Sequence, residues 1–573
     1  MGKSKRELTG AEIIWESLVR EGVEVIFGYP GGAILPAYDA LNKYRKKIHH
    51  VLVRHEQGAA HMADGYARAS GKVGVAIATS GPGATNLITG LATAMMDSSP
   101  IVCITGQVGS TAIGSDAFQE TDITGATLPV TKHSYLVMDV DDLAESIREA
   151  FYIARTGRPG PVLIDIPKDV QIAKTMFEYP SDPIDLPGYH PPECATDEQV
   201  AAALELINTA ERPVILAGQG VLQSHAMGPL RELAEQGQIP VTPTLLGIGS
   251  LPASHPLNLG MMGMHGTGAA NHAIQAADLL IACGMRFDDR VTGKLQTYSP
   301  NSKKIHIDID ASELNKNIRV EVAIHANLST VLKQFNGGVK PRNHNDWMAT
   351  IKTWQDDADE REVLNMKTPT LLGAQAVRAI WEGTQGKALI VTDVGQHQML
   401  EAQYYLHDEP YTLITSGGAG TMGFALPAAI GAGFHVQDRE IWVIVGDGGI
   451  QMNIQELATA VQEKSNIKIA IINNGYLGMV RQWQQMFYDA RYVETPISSP
   501  DYLLIAQAYG MPGYRVDRLE DIPATMQKAQ SHEGPVLVEF MVEQHDVVYP
   551  MVPAGADLHA MIRRPLKQFE MDT

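Results

Sequence analysis

Ile441-Trp442-Val443-Ile444-Val445-Gly446-Asp447-Gly448-Gly449 and, after a helical stretch, Ile467-Lys468-Ile469-Ala470-Ile471-Ile472-Asn473-Asn474 decide the fold. The runs Ile441–Gly446 and Ile467–Ile472 are read as continuously apolar rather than alternating, which predicts strands buried on both faces in a parallel sheet flanked by helices. Asp447 and Asn474 are 27 residues apart, a comfortable length for one strand–helix–strand unit with both residues at the carboxyl ends of its strands. A carboxylate and an amide oxygen there suit a hard cation such as Mg²⁺, which usually keeps a phosphate ligand as well. The glycines let a backbone approach that phosphate closely, and the helix start after Gly449 favours its charge.

The same grammar recurs along the chain. Val73–Thr79 and Ile101–Thr105 read as buried strands of a first block; Val214–Ala217, Leu279–Cys283 and Ile305–Ile309 belong to a second; Ala388–Thr392 joins the third. The expected class is α/β, three doubly wound parallel-sheet domains, with ligands at the carboxyl ends of strands. Residues 174–195, carrying Pro180, Pro183, Pro187, Pro191 and Pro192, read as an extended linker. A second weak zone spans about 336–370, from Gly337-Gly338 through Asp356-Asp357. These marks give segments 1–175, 193–338 and 368–545, then a tail, 546–573.

Composition removes several classes of function. With 45 Lys plus Arg against 65 Asp plus Glu, the formal charge of −20 repels phosphate backbones and anionic lipid, so no nucleic-acid or membrane partner is expected. No apolar run reaches the ~18 residues of a membrane span, and Met1–Glu7 leads at once into a helical pattern without a signal-peptide core. Cys103, Cys194 and Cys283 form no C-x-x-C pair, which argues against a disulfide framework and fits a cytoplasmic protein. Gly71-Lys72 and Gly293-Lys294 do not complete a P-loop. His55 and His61 are six residues apart, too far for a helical zinc pair around Glu56.

Gly446-Asp447-Gly448 followed by Asn473-Asn474 resembles the diphosphate motif of thiamine-diphosphate enzymes, and Glu56, in Arg54-His55-Glu56-Gln57-Gly58, resembles their lone early glutamate. The resemblance narrows to acetohydroxyacid synthase, the biosynthetic acetolactate synthase. It rests on Phe27-Gly28-Tyr29-Pro30-Gly31-Gly32, Thr79-Ser80-Gly81-Pro82-Gly83-Ala84-Thr85-Asn86 and Asp116-Ala117-Phe118-Gln119-Glu120. Further on come Gly157-Arg158-Pro159-Gly160-Pro161, Arg286-Phe287-Asp288-Asp289-Arg290 and Gly420-Thr421-Met422-Gly423. Gly478-Met479-Val480-Arg481-Gln482-Trp483 and Tyr549-Pro550-Met551-Val552-Pro553-Ala554-Gly555 complete it, in family order, over about residues 11–565.

That resemblance implies an N-terminal pyrimidine-binding domain, a central FAD-binding domain, a C-terminal diphosphate and Mg²⁺ domain, and a tail over the active site. Thiamine diphosphate would lie between two subunits of a homodimer or homotetramer. Glu56 would hydrogen-bond its aminopyrimidine, Met422 would hold it bent, and the Gly420 carbonyl would take a hydrogen bond from its amino group. Gly395, Gln396, His397, Gly448, Gly449 and Met479 would complete its contacts, and Asp447, Asn474 and the Tyr476 carbonyl would hold the metal. FAD, in a non-redox role, would meet Arg158, Gly218, Gly220, Met264, His265, Gly266, Gly284, Arg286, Asp288, Arg290, Asp308 and Ile309. Gln119 would act in catalysis, and Gly32, Phe118, Lys168, Arg290 and Trp483 would line the path of the 2-ketoacid substrates.

The implied activity is decarboxylation of pyruvate and transfer of its two-carbon unit to pyruvate or 2-ketobutyrate, in branched-chain amino-acid biosynthesis, by a large subunit with a separate small regulatory subunit. A guanidinium at 290 can grip a carboxylate with two parallel hydrogen bonds, and an indole at 483 offers an apolar wall. Three rivals share the scaffold: a flavin-dependent pyruvate oxidase, an FAD-free catabolic acetolactate synthase, and an inactive binding protein.

Overall fold

In the computed structural model, residues 6–565 are described, apart from 360, 362, 365, 367 and 369. The ends of the first and last segments, 1–5 and 566–573, lie outside the described residues. Three parallel sheets follow one another along the chain. The first runs, in spatial order, His49–Leu52, Val25–Gly28, Gly74–Ala78, Ile101–Gln107, Val162–Pro167, His133–Leu136. The second runs Val241–Pro243, Pro213–Ala217, Leu279–Cys283, Lys303–Asp308, Val322–His325. The third runs Leu413–Thr415, Leu389–Thr392, Ile441–Gly446, Ile467–Asn473, Val536–Met541, Gly513–Val516.

Numbered by their order in the chain, the strands of the first and third sheets share one topology, 2-1-3-4-6-5, and the second is 2-1-3-4-5. Each sheet therefore reverses its winding between its first and third strands, the point where open parallel sheets leave a crevice for ligands. In the third sheet that crevice opens after Leu389–Thr392 and Ile441–Gly446, where Gly395–His397 and Asp447–Gly449 follow. In the second it opens after Pro213–Ala217 and Leu279–Cys283, beside Gly218–Gly220 and Gly284–Arg286. In the first it opens after Val25–Gly28 and Gly74–Ala78, beside Gly31-Gly32.

The apolar runs do form strands buried on both faces, though buried polar residues interrupt them, His306 and Asp308 in Lys303–Asp308 among them. Lys468 stands inside Ile467–Asn473 at 1% exposure. Its ammonium donates to the His532 and Gly534 carbonyls and to Asn466 Oδ1, and burial pulls its pKa down to about 8. The proline-rich linker begins later than the sequence suggests, because Lys174–Phe177 pairs antiparallel with Arg6–Thr9. The polar zone at 336–370 contains a helix, Asn345–Asp359. Trp347, Ile351 and Trp354 recur on one face of it at helical spacing, and the first two join the core of the second domain. Acidic residues on the other face mask that stripe in the sequence.

Helix Glu56–Ser70 of the first domain crosses helix Ala425–Ala432 of the third so closely that side chains at the crossing are excluded. A Cβ on Gly65 would lie 2.0 Å from the Ala428 carbonyl oxygen, and one on Gly431 would lie 1.9 Å from that of Met62. One apolar core continues through both domains at this point. Among the described residues, no helix is long and apolar enough to cross a membrane.

Candidate active site

Strands Ile441–Gly446 and Ile467–Asn473 are adjacent and in register, Gly446 opposite Ile472, so their carboxyl ends bring Asp447 and Asn474 to one cavity of about 100 Å³. Asn473 turns away into the sheet and donates to Glu539, while Asn474 donates to Gln396 Oε1. Gln396, His397, Gly448, Gly449, Tyr476 and Met479 line the same cavity. Asp447 is buried, accepts a hydrogen bond from the Ser499 hydroxyl at 3.0 Å, and has its pKa pushed up to about 6 by burial. Backbone N–H groups of Asp447, Asn474 and Gly475 also reach it, but a buried carboxylate held by neutral donors is short of positive charge, which a divalent cation would supply. His397 is neutral, its pKa driven down to about 3 by burial, and its Nε2 has no hydrogen-bond partner. The donor set fits a metal-bound diphosphate.

A second cavity, of about 1540 Å³, runs from the second sheet to the third. Arg158, Gly220, Met264, His265, Gly284, Arg286, Asp288, Arg290, Asp308 and Ile309 line its far part. Gly395, Gly420, Met422, Met479 and Trp483 line its near part. Five guanidinium groups, of Arg155, Arg158, Arg286, Arg290 and Arg491, on walls rich in methionine suit a long ligand that carries phosphates and an apolar ring, so the residues fit FAD as well. Asp308 is buried, which raises its pKa to about 7. Gly218 and Gly266 are not among the lining residues. Gly218 lets two strand ends pass, since a Cβ there would lie 2.1 Å from the Gly284 carbonyl oxygen. A Cβ on Gly266 would strike the Met262 backbone at 2.5 Å, so it serves a tight turn in the wall.

Arg290 and Trp483, from different domains, meet at the mouth. The guanidinium carbon lies 5.9 Å from the indole ring centre, and Phe487 backs the indole edge-on at 5.6 Å. The tail closes this side: Val552 N–H donates to the Met264 carbonyl at 2.8 Å, and His265 Nδ1 lies 3.1 Å from the Pro550 carbonyl.

The remaining expected residues stand elsewhere on the chain. Glu56 begins helix Glu56–Ser70, where the helix dipole favours a carboxylate. It is 9% exposed, and its Oε2 accepts from Asn86 at 2.9 Å. Gly32, Phe118, Gln119 and Lys168 share its domain, and neither they nor Glu56 line either cavity. Phe118 is 89% exposed, and Gln119 adopts φ +61°, held against Gly81. Within one chain the glutamate half and the diphosphate half are thus separate.

The chain matches the family described as "Thiamine pyrophosphate enzyme" over all three domains: N-terminal TPP binding at 8–126, central at 200–335 and C-terminal TPP binding at 393–540. It is 48% identical to "Acetolactate synthase" of Mycobacterium leprae (strain TN), over 96% of this chain and 90% of that protein. The chain belongs to the acetolactate synthase family. The "Acetolactate synthase large subunit" proteins of Lactococcus lactis subsp. lactis (strain IL1403) and Haemophilus influenzae (strain ATCC 51907 / DSM 11121 / KW20 / Rd) are 45% and 43% identical. They cover 98% and 97% of this chain, and the match covers 97% and 98% of theirs.

In this acetolactate synthase scaffold, sequence reading missed that two carboxylates hold Arg158. Glu313 and Asp310 meet its guanidinium at 3.0 and 3.2 Å, and Ser98 accepts from its Nε. Asp310 follows the strand end at Asp308 and was readable by that rule; Glu313 was not. Also unseen was Asp97, buried between Arg68 and the Gly417 and Gly418 N–H groups, which joins the first domain to the loop before Gly420.

Proposed function

We propose that this chain is the catalytic subunit of an acetolactate-forming enzyme. It takes pyruvate, releases CO₂, and joins the remaining two-carbon unit to pyruvate or 2-ketobutyrate, giving 2-acetolactate or 2-aceto-2-hydroxybutyrate for branched-chain amino-acid biosynthesis. The observation that carries this is the pairing of Arg290 with Trp483 in a cavity wall that continues to Met422 and Met479. A carboxylate grip beside an apolar wall, opening onto a diphosphate site, is what a short 2-ketoacid requires.

Thiamine diphosphate, when bound, supplies the electron sink for decarboxylation. Asp447, Asn474 and the Tyr476 carbonyl would hold Mg²⁺, and His397 lines the same cavity beside the diphosphate position. Met422, which lines both cavities, would hold the cofactor bent, and the Gly420 carbonyl would accept from its amino group. Glu56 would hydrogen-bond the aminopyrimidine of the cofactor, and Asn86 orients its carboxylate. Because Glu56, Gln119, Lys168 and the exposed Phe118 lie outside both cavities, they serve the site of a second copy, in a homodimer or homotetramer. FAD would be held in the far part of the large cavity, without a redox role. The large-subunit relatives support a separate small regulatory subunit, and the biosynthetic role supports the cytoplasm.

The test is acetolactate formation from pyruvate with each of the three cofactors omitted in turn, alongside the flavin spectrum. Product that needs all three, with no pyruvate-driven bleaching of the flavin, is the expected result. Rapid bleaching would identify an oxidase instead.

A further inference from the structure

Met422 sits in a turn that is gripped on both sides. Asp393, the first residue after strand Leu389–Thr392, is 1% exposed, and the hydrogen bonds found for its carboxylate come from backbone N–H groups. Both its oxygens accept from Gly423 N–H, at 3.0 and 2.9 Å, and further bonds come from Val394 at 2.9 Å and Ala425 at 3.2 Å. From the opposite side, buried Asn453 donates through Nδ2 to the Gly423 carbonyl at 2.7 Å. Gln455 orients that amide by donating to its Oδ1 at 3.0 Å. Gly423 has φ +85°, and a Cβ there would lie 2.8 Å from Met452 Cβ, so the grip requires glycine. Thr421 is held as well, its N–H donating to Ser416 Oγ at 3.0 Å. These bonds fall on either side of Met422, whose side chain lines both cavities.

The two grips come from the two walls of the crevice. Asp393 leads into Gly395–His397, and Asn453 ends the turn that begins with Asp447-Gly448-Gly449. A buried carboxylate with no cation against it is costly to keep. Here it is offset by four hydrogen bonds from three N–H groups, three of the bonds coming from Gly423 and Ala425 at the start of helix Ala425–Ala432. We propose that Asp393 and Asn453 are positioning residues that clamp the Met422 turn to the Asp447 turn. The part of the chain that shapes the cofactor and the part that anchors its diphosphate then cannot drift apart. This rests on the thiamine-diphosphate reading of the site. Its physical motive is that displacing a reacting group by about 1 Å costs about 10²-fold in rate.

The test compares wild type with Asn453→Ala and Asp393→Asn, first without cofactor, by hydrogen–deuterium exchange of the full chain. Both variants are expected to speed exchange in the peptide spanning 420–428 by about tenfold, while strand Ile441–Gly446 stays protected. With cofactor, calorimetric affinity for thiamine diphosphate and Mg²⁺ should change less than about threefold, whereas kcat at saturation falls by about 10²-fold. Asn453→Gln, which keeps the donor on a longer arm, should recover part of that kcat. If Asn453→Ala does not fold, Asp393→Asn and Asn453→Gln carry the same comparison. Unchanged exchange at 420–428 overturns the clamp, as does a kcat that follows a uniform loss of protection and melting temperature. If wild type binds no thiamine diphosphate, the cofactor reading fails, while the exchange result still judges the clamp.

Discussion

Replacing Trp483 by leucine should cost the enzyme its preference for 2-ketobutyrate while leaving acetolactate synthesis intact. The indole is held between Arg290, 5.9 Å from its ring centre, and Phe487 at 5.6 Å, so it is a fixed wall. Two contributions change on truncation. The extra methyl group of 2-ketobutyrate loses its contact surface, and one methylene in an apolar pocket is worth about 1–3 kcal/mol, a factor of about 10–200. Leucine restores part of that surface, which places the expected fall in the acetohydroxybutyrate to acetolactate ratio near tenfold. The guanidinium also loses an exposed cation–π contact worth about 0.5–1 kcal/mol. This weakens the grip on both acceptors by about two- to fivefold and cancels in the ratio. The assay is a competition with both ketoacids present, products resolved and ratios taken over a range of concentrations. An unchanged product ratio would refute the reasoning and reduce Trp483 to packing. A further check is that Arg290→Met should lower both products alike.

Three other outcomes follow from the same geometry. Glu56→Gln should keep the fold and cofactor affinity yet lose most activity, because the amide is nearly isosteric but cannot hold the proton in the same way; near wild-type turnover at saturating cofactor would remove Glu56 from the mechanism. Asp447→Ala should abolish Mg²⁺-dependent retention of thiamine diphosphate, measured by calorimetry; unchanged binding would refute the metal assignment. Asp165, buried beneath the loop that carries Gln119, accepts from Thr105 and Gln107, and burial pushes its pKa up to about 6. Since the native state holds that proton more tightly than the unfolded chain, whose value is nearer 3.8, this group's stabilisation is complete at low pH and is lost as pH rises through about 6. In Asp165→Asn the amide can still accept from Gln107 and donate to the rotated Thr105 hydroxyl. The melting-temperature difference between wild type and variant should therefore shift in the variant's favour between pH 4 and 7, and a constant difference would refute the linkage.

What sequence could reveal was local. Continuous apolarity identified eight strands of the three sheets but not shorter or edge ones such as Val25–Gly28 and Gly513–Val516, and the short path from Gly446-Asp447-Gly448-Gly449 to Asn473-Asn474 placed two turns side by side, because a strand–helix–strand unit leaves little freedom of register. Lys468 inside such a run shows the limit, since the His532 and Gly534 carbonyls, far along the chain, join Asn466 in allowing a cation where the pattern alone implies apolarity. Family motifs singled out candidate residues but not which of them meet. Tertiary structure decided that Arg290 faces Trp483, that Arg158 is already bound to Asp310 and Glu313, and that Gly218 and Gly266 make room for backbone rather than line a cavity. It also set Glu56 apart from the diphosphate half within one chain. The physical reason is range. A strand or turn is written in the spacing of neighbouring residues, whereas contacts across hundreds of residues depend on how whole sheets and helices pack, which no local period records.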